Sequence, residues 1–219
     1  KDASFLHWVT YHEICNLAHE GASIIHPRAV ELAMQKSTPL RIRSTMSNSQ
    51  GTVVTTEARM KELTHHPEKR VITGITQKAN LTQLKVTSDT PQFDLHVKVF
   101  KAMAENRISV DFISVNPLGV IYTVFDHLAE QAISILKGMG YHPEVCHHCA
   151  KVAAVGAGMA GVPGVMAMIA EALTEEDIPI LQSADSHTTI WLLVRGEDMV
   201  RTVNALHRKF NLHKLAAHK

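Results

Sequence analysis

Apolar positions along this chain alternate between a helical period and short continuous runs. In residues 10–20, "TYHEICNLAHE", Ile14, Leu17 and Ala18 fall on one helical face, and Gly21 follows as a stop. "ASII" reads as a short apolar strand. Pro27 then opens a second helix, "PRAVELAMQK", in which Ala29, Leu32 and Ala33 recur at helical spacing. "PLRIRST" and "GTVVTT" predict strands around the polar loop "MSNSQ". Residues 57–70, "EARMKELTHHPEKR", are charged and irregular and read as a linker, with His65 and His66 as solvated loop residues.

The rest of the chain repeats itself. A shift of 70 residues lays "VFKAMAENRISVDFISVNPLGVIYTV" (99–124) over "IAEALTEEDIPILQSADSHTTIWLLV" (169–194) without a gap. Ala102 meets Ala172, Glu105 meets Glu175, Ile108 meets Ile178 and Val124 meets Val194. The match runs on into helical segments 126–139 and 197–210. A strand precedes each unit: "LTQLKV" before the first and "KVAAVG" before the second. Each repeat therefore reads β-α-β-β-α, one strand short of the ferredoxin-like split unit. "HPEVCHHCA" and "RVITGIT" (70–76) are the candidates for the missing strands, and two repeats with two orphan strands predict units that interlock.

Glycines at 156, 158 and 161 spell G-x-G-x-x-G, the pattern of a dinucleotide-binding turn. Such a turn needs a right-handed return to a parallel neighbouring strand. Here "IPILQ" is followed by only "SADSH" before "TTIWLLV", which makes an antiparallel hairpin. The first repeat builds the same turn from "KVTSDTPQFD", without glycine. No nicotinamide cofactor is expected; the glycines would let a ligand or a partner backbone come close.

With 45% hydrophobic and 20% charged residues the composition is that of a globular protein. Its 22 Lys and Arg balance 21 Asp and Glu, so no global field favours nucleic acid or a membrane. No apolar run is long enough to span a bilayer. The start, "KDASFLHWVTYHEIC", lacks Met and signal-peptide design, and reads as a chain cut from something longer. Three cysteines argue against a disulfide framework and for a reducing cytoplasm. Cys146 and Cys149, with His142, His147 and His148 nearby, invite a zinc reading. A lone C-x-x-C lacks the second pair that tetrahedral zinc needs, so no metal site is expected.

Two stretches carry a family resemblance. "GASIIHPRAVELAMQKSTPLRIRST…GTVV" resembles the end of the aspartate kinase catalytic domain. "KVFKAMAENRISVDFI" and "KVAAVGAGMAGVPGV…ILQSADSHTTIWLLV…VNALHRKFNL" resemble its paired regulatory ACT domains, most closely in the diaminopimelate-controlled enzymes of Gram-positive bacteria. The resemblance implies an α+β fold: two interlocked ferredoxin-like ACT units (βαββαβ) preceded by a remnant of an α/β amino-acid kinase domain. On this reading residues 1–56 are the catalytic remnant and 57–70 the linker. Residues 71–145 form the first unit, with 71–77 joining the second, and 146–219 form the second unit.

The family phosphorylates the side-chain carboxylate of L-aspartate with MgATP, at the start of lysine, diaminopimelate, threonine and methionine synthesis. Its Lys-Phe-Gly-Gly motif is absent from these residues, and Ser23 stands where relatives carry a lysine that helps to hold ATP phosphates. His26 and Arg28 match in identity, with His26-Pro27 ordering a helix start. No catalytic residue and no cofactor are therefore assigned; MgATP would be a substrate of the full enzyme, and this fragment alone is expected to be inactive. ACT units bind small amino acids where the first strand-to-helix loop of one unit meets the second strand of another. Carried over residue by residue, that implies Asp89 and Gln92 in the loop, Ser109, Val110 and Asp111 at the strand start, and Val115, Asn116 and Pro117 at its end. Meso-diaminopimelate, lysine and threonine are the effectors it implies, in a cytoplasmic homo-oligomer joined through its ACT sheets. The alternative is a free-standing amino-acid-binding ACT protein without a kinase.

Overall fold

The structure is a computed structural model that describes residues 4–63, 70–88, 90, 93–159 and 161–213. It divides into two compact units: residues 1–78 with 152–219, and residues 79–151. The chain passes from one to the other within two long strands, β4 (Gly74–Thr87) and β7 (Glu144–Val155).

The first unit opens with β1 (Trp8–Thr10), α1 (Tyr11–His19), α2 (Pro27–Gln35), β2 (Leu40–Ile42), β3 (Thr52–Thr55) and α3 (Glu57–Leu63). β3 lies between β1, to which it is parallel, and β2, to which it is antiparallel. Thr10 and Glu13 close a reciprocal capping box at the start of α1. His26 caps α2, its Nδ1 accepting from the Arg28 N–H at 3.2 Å, so the residue orders a helix start. "ASII" is a turn, not a strand: it sits between two helices, Ile24 is 57% exposed, and the Ile24 N–H donates to Ala22 O. The expected linker holds α3, for which Thr56 supplies the cap by accepting from the Arg59 N–H; Glu, Ala, Arg and Met are strong helix formers. His65 and His66 lie outside the described residues.

The second unit runs β4, α4 (Leu95–Glu105), β5 (Asp111–Asn116), β6 (Gly119–Phe125), α5 (Asp126–Gly138), β7, which is the βαββαβ order, with its strands arranged β5-β6-β4-β7. In the first unit β7 leads to a short 3-10 turn (Ala157–Met159), α6 (Val165–Thr174), β8 (Gln182–Asp185), β9 (Thr189–Arg195) and α7 (Met199–Lys209). There the strands lie β4-β7-β9-β8, so the opening residues of β4 take the place a final strand would have after α7. The α+β ACT fold is thus built twice.

The repeat is kept in detail. β6 and β9 begin at 119 and 189, and α4 and α6 at 95 and 165. Both α4 and α6 end on a left-handed residue, Arg107 (φ 58°) and Asp177 (φ 54°). The next amide, Ile108 or Ile178, donates 2.9 Å back to Met103 O or Leu173 O, a Schellman closure in each copy.

The core of the second unit gathers Leu84, Val99, Met103, Tyr122 and Leu136, all fully buried. Tyr122 stands opposite Leu84 in the β4–β6 ladder and meets Phe100 edge-on, with ring centroids 5.8 Å apart. Its hydroxyl is buried without a hydrogen-bond partner, and that burial pushes the phenol pKa up. A buried donor left unmade costs roughly 1–3 kcal/mol. Tyr122→Phe should therefore stabilise the chain by about 1 kcal/mol, read as a higher urea midpoint at unchanged slope. A lower midpoint would mean that the hydroxyl has a partner.

Candidate functional site

The glycine turn after β7 is explained by the chain's own backbone. A β-carbon on Gly156 would run into the carbonyl of Val71, and one on Gly158 into that of Arg70. The amides of the turn are engaged as well: Gly156 N–H donates to Thr188 O at 2.9 Å and Ala157 N–H to Glu13 Oε1 at 3.3 Å. What comes close to these glycines is residues 70–72 of the same chain, held where a ligand or partner was expected.

Glu13 is 6% exposed and gathers donors from three segments. Its Oε2 accepts from the Thr10 N–H (2.9 Å) and hydroxyl (2.7 Å), and its Oε1 from the Thr73 hydroxyl (2.5 Å) and Ala157 N–H. The sequence signal for this node was the T-x-x-E of a capping box at Thr10–Glu13, ahead of an apolar helical stripe.

Around β5 the predicted effector residues fall into two groups. Asp89 and Gln92 lie outside the described residues. Ser109, Val110 and Asp111 form the entry to β5: Ser109 is exposed and Val110 packs half-buried on the core. Val115, Asn116 and Pro117 sit at the other end, where Asn116 Oδ1 accepts from the Leu118 N–H at 2.9 Å in a tight turn. At about 3.3 Å per residue the two ends stand roughly 15 Å apart, too far for one small amino acid to touch both on one chain.

The Asp111 end is the chemically distinctive one. Asp111 Oδ2 meets Lys151 Nζ at 2.8 Å, and Oδ1 accepts from the Phe112 N–H at 2.8 Å. The carboxylate side chain is 52% exposed while the lysine side chain, on β7, is only 7% exposed. The next residue, Phe112, takes a left-handed φ of 52°, a rare conformation for an aromatic residue. The β5–β6 ladder slips between Asp111 and Ser114, a bulge that re-aims the side chains around it. Thr123, buried on β6, fixes the backbone by donating to Asp111 O at 3.1 Å. Sequence reading missed Lys151, although a lysine set within the apolar run "CAKVAAV" was the visible signal.

The Cys-His-His-Cys stretch is engaged in hydrogen bonds. Burial, with Cys146 beside it, pushes the Cys149 thiol up to about 12, and its Sγ donates to Cys146 O at 3.2 Å. His148 Nδ1 lies 3.0 Å from Asp126, whose other oxygen accepts from Thr82 at 2.6 Å. Burial raises the Asp126 carboxyl, but Thr82 and His148 together outweigh it and leave it below the usual value. Among the described residues no group of three or more His, Cys, Asp or Glu side chains is placed to hold a metal ion. No described helix is long and apolar enough to cross a membrane.

Residues 144–208 match the ACT domain family. Aspartokinase 1 of Bacillus subtilis (strain 168) is 52% identical to this chain over 98% of the chain and 53% of that protein. Among solved structures, aspartate kinase from Clostridium acetobutylicum superposes with a TM-score of 0.83 at 22% identity, covering 94% of this chain and 49% of that one. The regulatory subunit of aspartate kinase from Thermus thermophilus gives a TM-score of 0.58 at 27% identity, over 64% of this chain and 99% of that one. The chain spans about half the length of the curated relatives it matches, 53% of Aspartokinase 1. With an ACT fold built twice and an alignment that runs over nearly all of its own length, the chain is an aspartokinase homologue that carries an ACT domain.

Proposed function

We propose that this chain is the regulatory part of an aspartate kinase, sensing a small amino acid at the entry to β5. The observation that carries the reading is the half-exposed Asp111 carboxylate beside a left-handed Phe112 and a strand bulge. An acid so placed suits the ammonium of an amino acid, and strained backbone persists where surrounding structure holds it for a ligand. Ser109 and Val110 would join Asp111 from the same strand entry, and the resemblance adds Asp89 and Gln92, which lie outside the described residues. Val115, Asn116 and Pro117 would serve a ligand only from a second copy, in keeping with a homo-oligomer joined through ACT sheets. In the cytoplasm the whole enzyme would pass phosphate from MgATP to L-aspartate, while these 219 residues supply the sensor and no catalytic group. Alignment along 98% of the chain to a full aspartokinase favours this over a free-standing sensor.

Meso-diaminopimelate is the effector to try first, then lysine and threonine. A ligand at 100 times its dissociation constant that binds only folded protein stabilises by roughly 2.7 kcal/mol. Melting should rise by roughly 5–10 °C for a chain of this length. Asp111→Ala should remove that shift and leave the apo protein folded. The site assignment fails if none of the three amino acids moves the melt, or if the alanine variant responds like its parent.

A further inference from the structure

We propose that Lys151 is the specificity residue of this site, selecting a ligand whose side chain ends in a second amino-acid head group over one that ends in a bare ammonium. The inference rests on the effector reading above and adds a residue and a ligand chemistry to it. A site built only to receive an ammonium needs one acid. Here the acid comes with a cation attached: Lys151 Nζ and Asp111 Oδ2 are 2.8 Å apart, so both signs of charge stand within one hydrogen-bond length. A group that itself carries both signs, an α-ammonium and an α-carboxylate, complements such a pair, each charge meeting its opposite. A terminal ammonium alone satisfies Asp111 and is repelled by Lys151.

A purely structural role accounts poorly for the arrangement. Burying a lysine costs free energy, and a buried ion pair is commonly matched or bettered in stability by apolar side chains of similar volume. Lys151 is flanked along β7 by Ala150 and Val152, both fully buried, where an apolar residue would suit the core. Its partner, by contrast, is half-exposed and stands beside the left-handed Phe112 and the β5 bulge. The cation is thus anchored in the core while the pair is open to solvent through Asp111.

The test is isothermal titration of the chain and its variants with meso-diaminopimelate, with L-lysine, which lacks the distal carboxylate, and with 2-aminopimelate, which lacks the distal ammonium. The parent should bind meso-diaminopimelate at least about tenfold more tightly than either analogue. Lys151→Met should weaken meso-diaminopimelate by about tenfold or more and change L-lysine by less than about threefold, so that the discrimination collapses. Lys151→Arg, which keeps the charge, should restore most of it, and Asp111→Asn should weaken both meso-diaminopimelate and L-lysine. Equal weakening of both ligands by Lys151→Met would mean that the lysine only props Asp111, and would overturn the proposal. So would an unchanged ratio, or a parent that prefers L-lysine. Should Lys151→Met fail to fold, the three ligands on the parent still decide, because equal affinities for meso-diaminopimelate and L-lysine refute the selectivity. A parent that binds none of the three sinks the effector reading itself, a result distinct from binding without discrimination.

Discussion

Gly156→Ala should lower the melting temperature of the unit formed by residues 1–78 and 152–219 by roughly 6–12 °C. The added β-carbon would overlap the Val71 carbonyl and come within 2.8 Å of Ile72 Cα. Both are backbone, so no flexible side chain can swing aside. Neither segment can slide away cheaply: Thr73 N–H donates to Val155 O at 2.7 Å and Gly156 N–H to Thr188 O at 2.9 Å. Overpacking of this kind costs about 3 kcal/mol, and each kcal/mol moves the midpoint by roughly 2–4 °C at this size. Both tryptophans, Trp8 and Trp191, lie in this unit, so their fluorescence reports on it alone. Gly138→Ala is the control: no atom lies within 4 Å of its added β-carbon, at the end of α5, and it should stabilise by up to about 1 kcal/mol. If Gly156→Ala melts within about 2 °C of the parent, the close approach of residues 70–72 is not what the glycine serves.

The repeat was legible because its signal is long-range agreement between patterns, which a few unusual residues cannot erase. The helices α4 and α6 and the strands β6 and β9 fall where a shift of 70 places them. Strand length was harder to read. The end of "RVITGIT", from Gly74, and "LTQLKV" are one strand, β4, because the polar "QKAN" between them does not break the ladder, and "EVCHHCA" runs straight on into "KVAAV" as one strand, β7. Asn80 (φ 61°) and His148 (φ 54°) each take a left-handed turn of the backbone that kinks a strand without ending it. Polar letters in mid-strand look like a loop when the strand's neighbours are unknown. The site was half legible. Asp111 is singled out only by the family resemblance, and its ion-pair partner lies 40 residues away on β7, where no local pattern links the two. The reason for the glycines was invisible for the same cause: the carbonyls they make room for belong to residues 70 and 71, which no spacing rule connects to 156.

Glu13→Ala should cost about 3–5 kcal/mol, the loss expected when one partner is removed from a buried polar cluster. Four donors converge on this carboxylate, from Thr10 (N–H and hydroxyl), Thr73 and Ala157. Thr10 and Thr73 are 5% and 7% exposed, so water cannot readily replace the lost acceptor. Alanine also removes the capping box that starts α1. Glu13→Gln keeps the volume and one acceptor oxygen but turns its NH2 toward one backbone amide that can only donate and one threonine hydroxyl that can also accept, and should cost about half as much. Thr73→Val removes one hydroxyl and should cost about 1 kcal/mol in the parent. In the Glu13→Ala background the same change should cost close to nothing, or stabilise, because the Thr73 hydroxyl has already lost its acceptor and valine no longer buries an unmet donor. The double variant should then be more stable than the sum of the two single losses by about 1–2 kcal/mol, outside the few tenths expected of independent sites. Urea titrations followed by tryptophan fluorescence measure all four corners of this cycle. Strict additivity, or a Glu13→Ala loss below about 1 kcal/mol, would show that the carboxylate does not join these three segments.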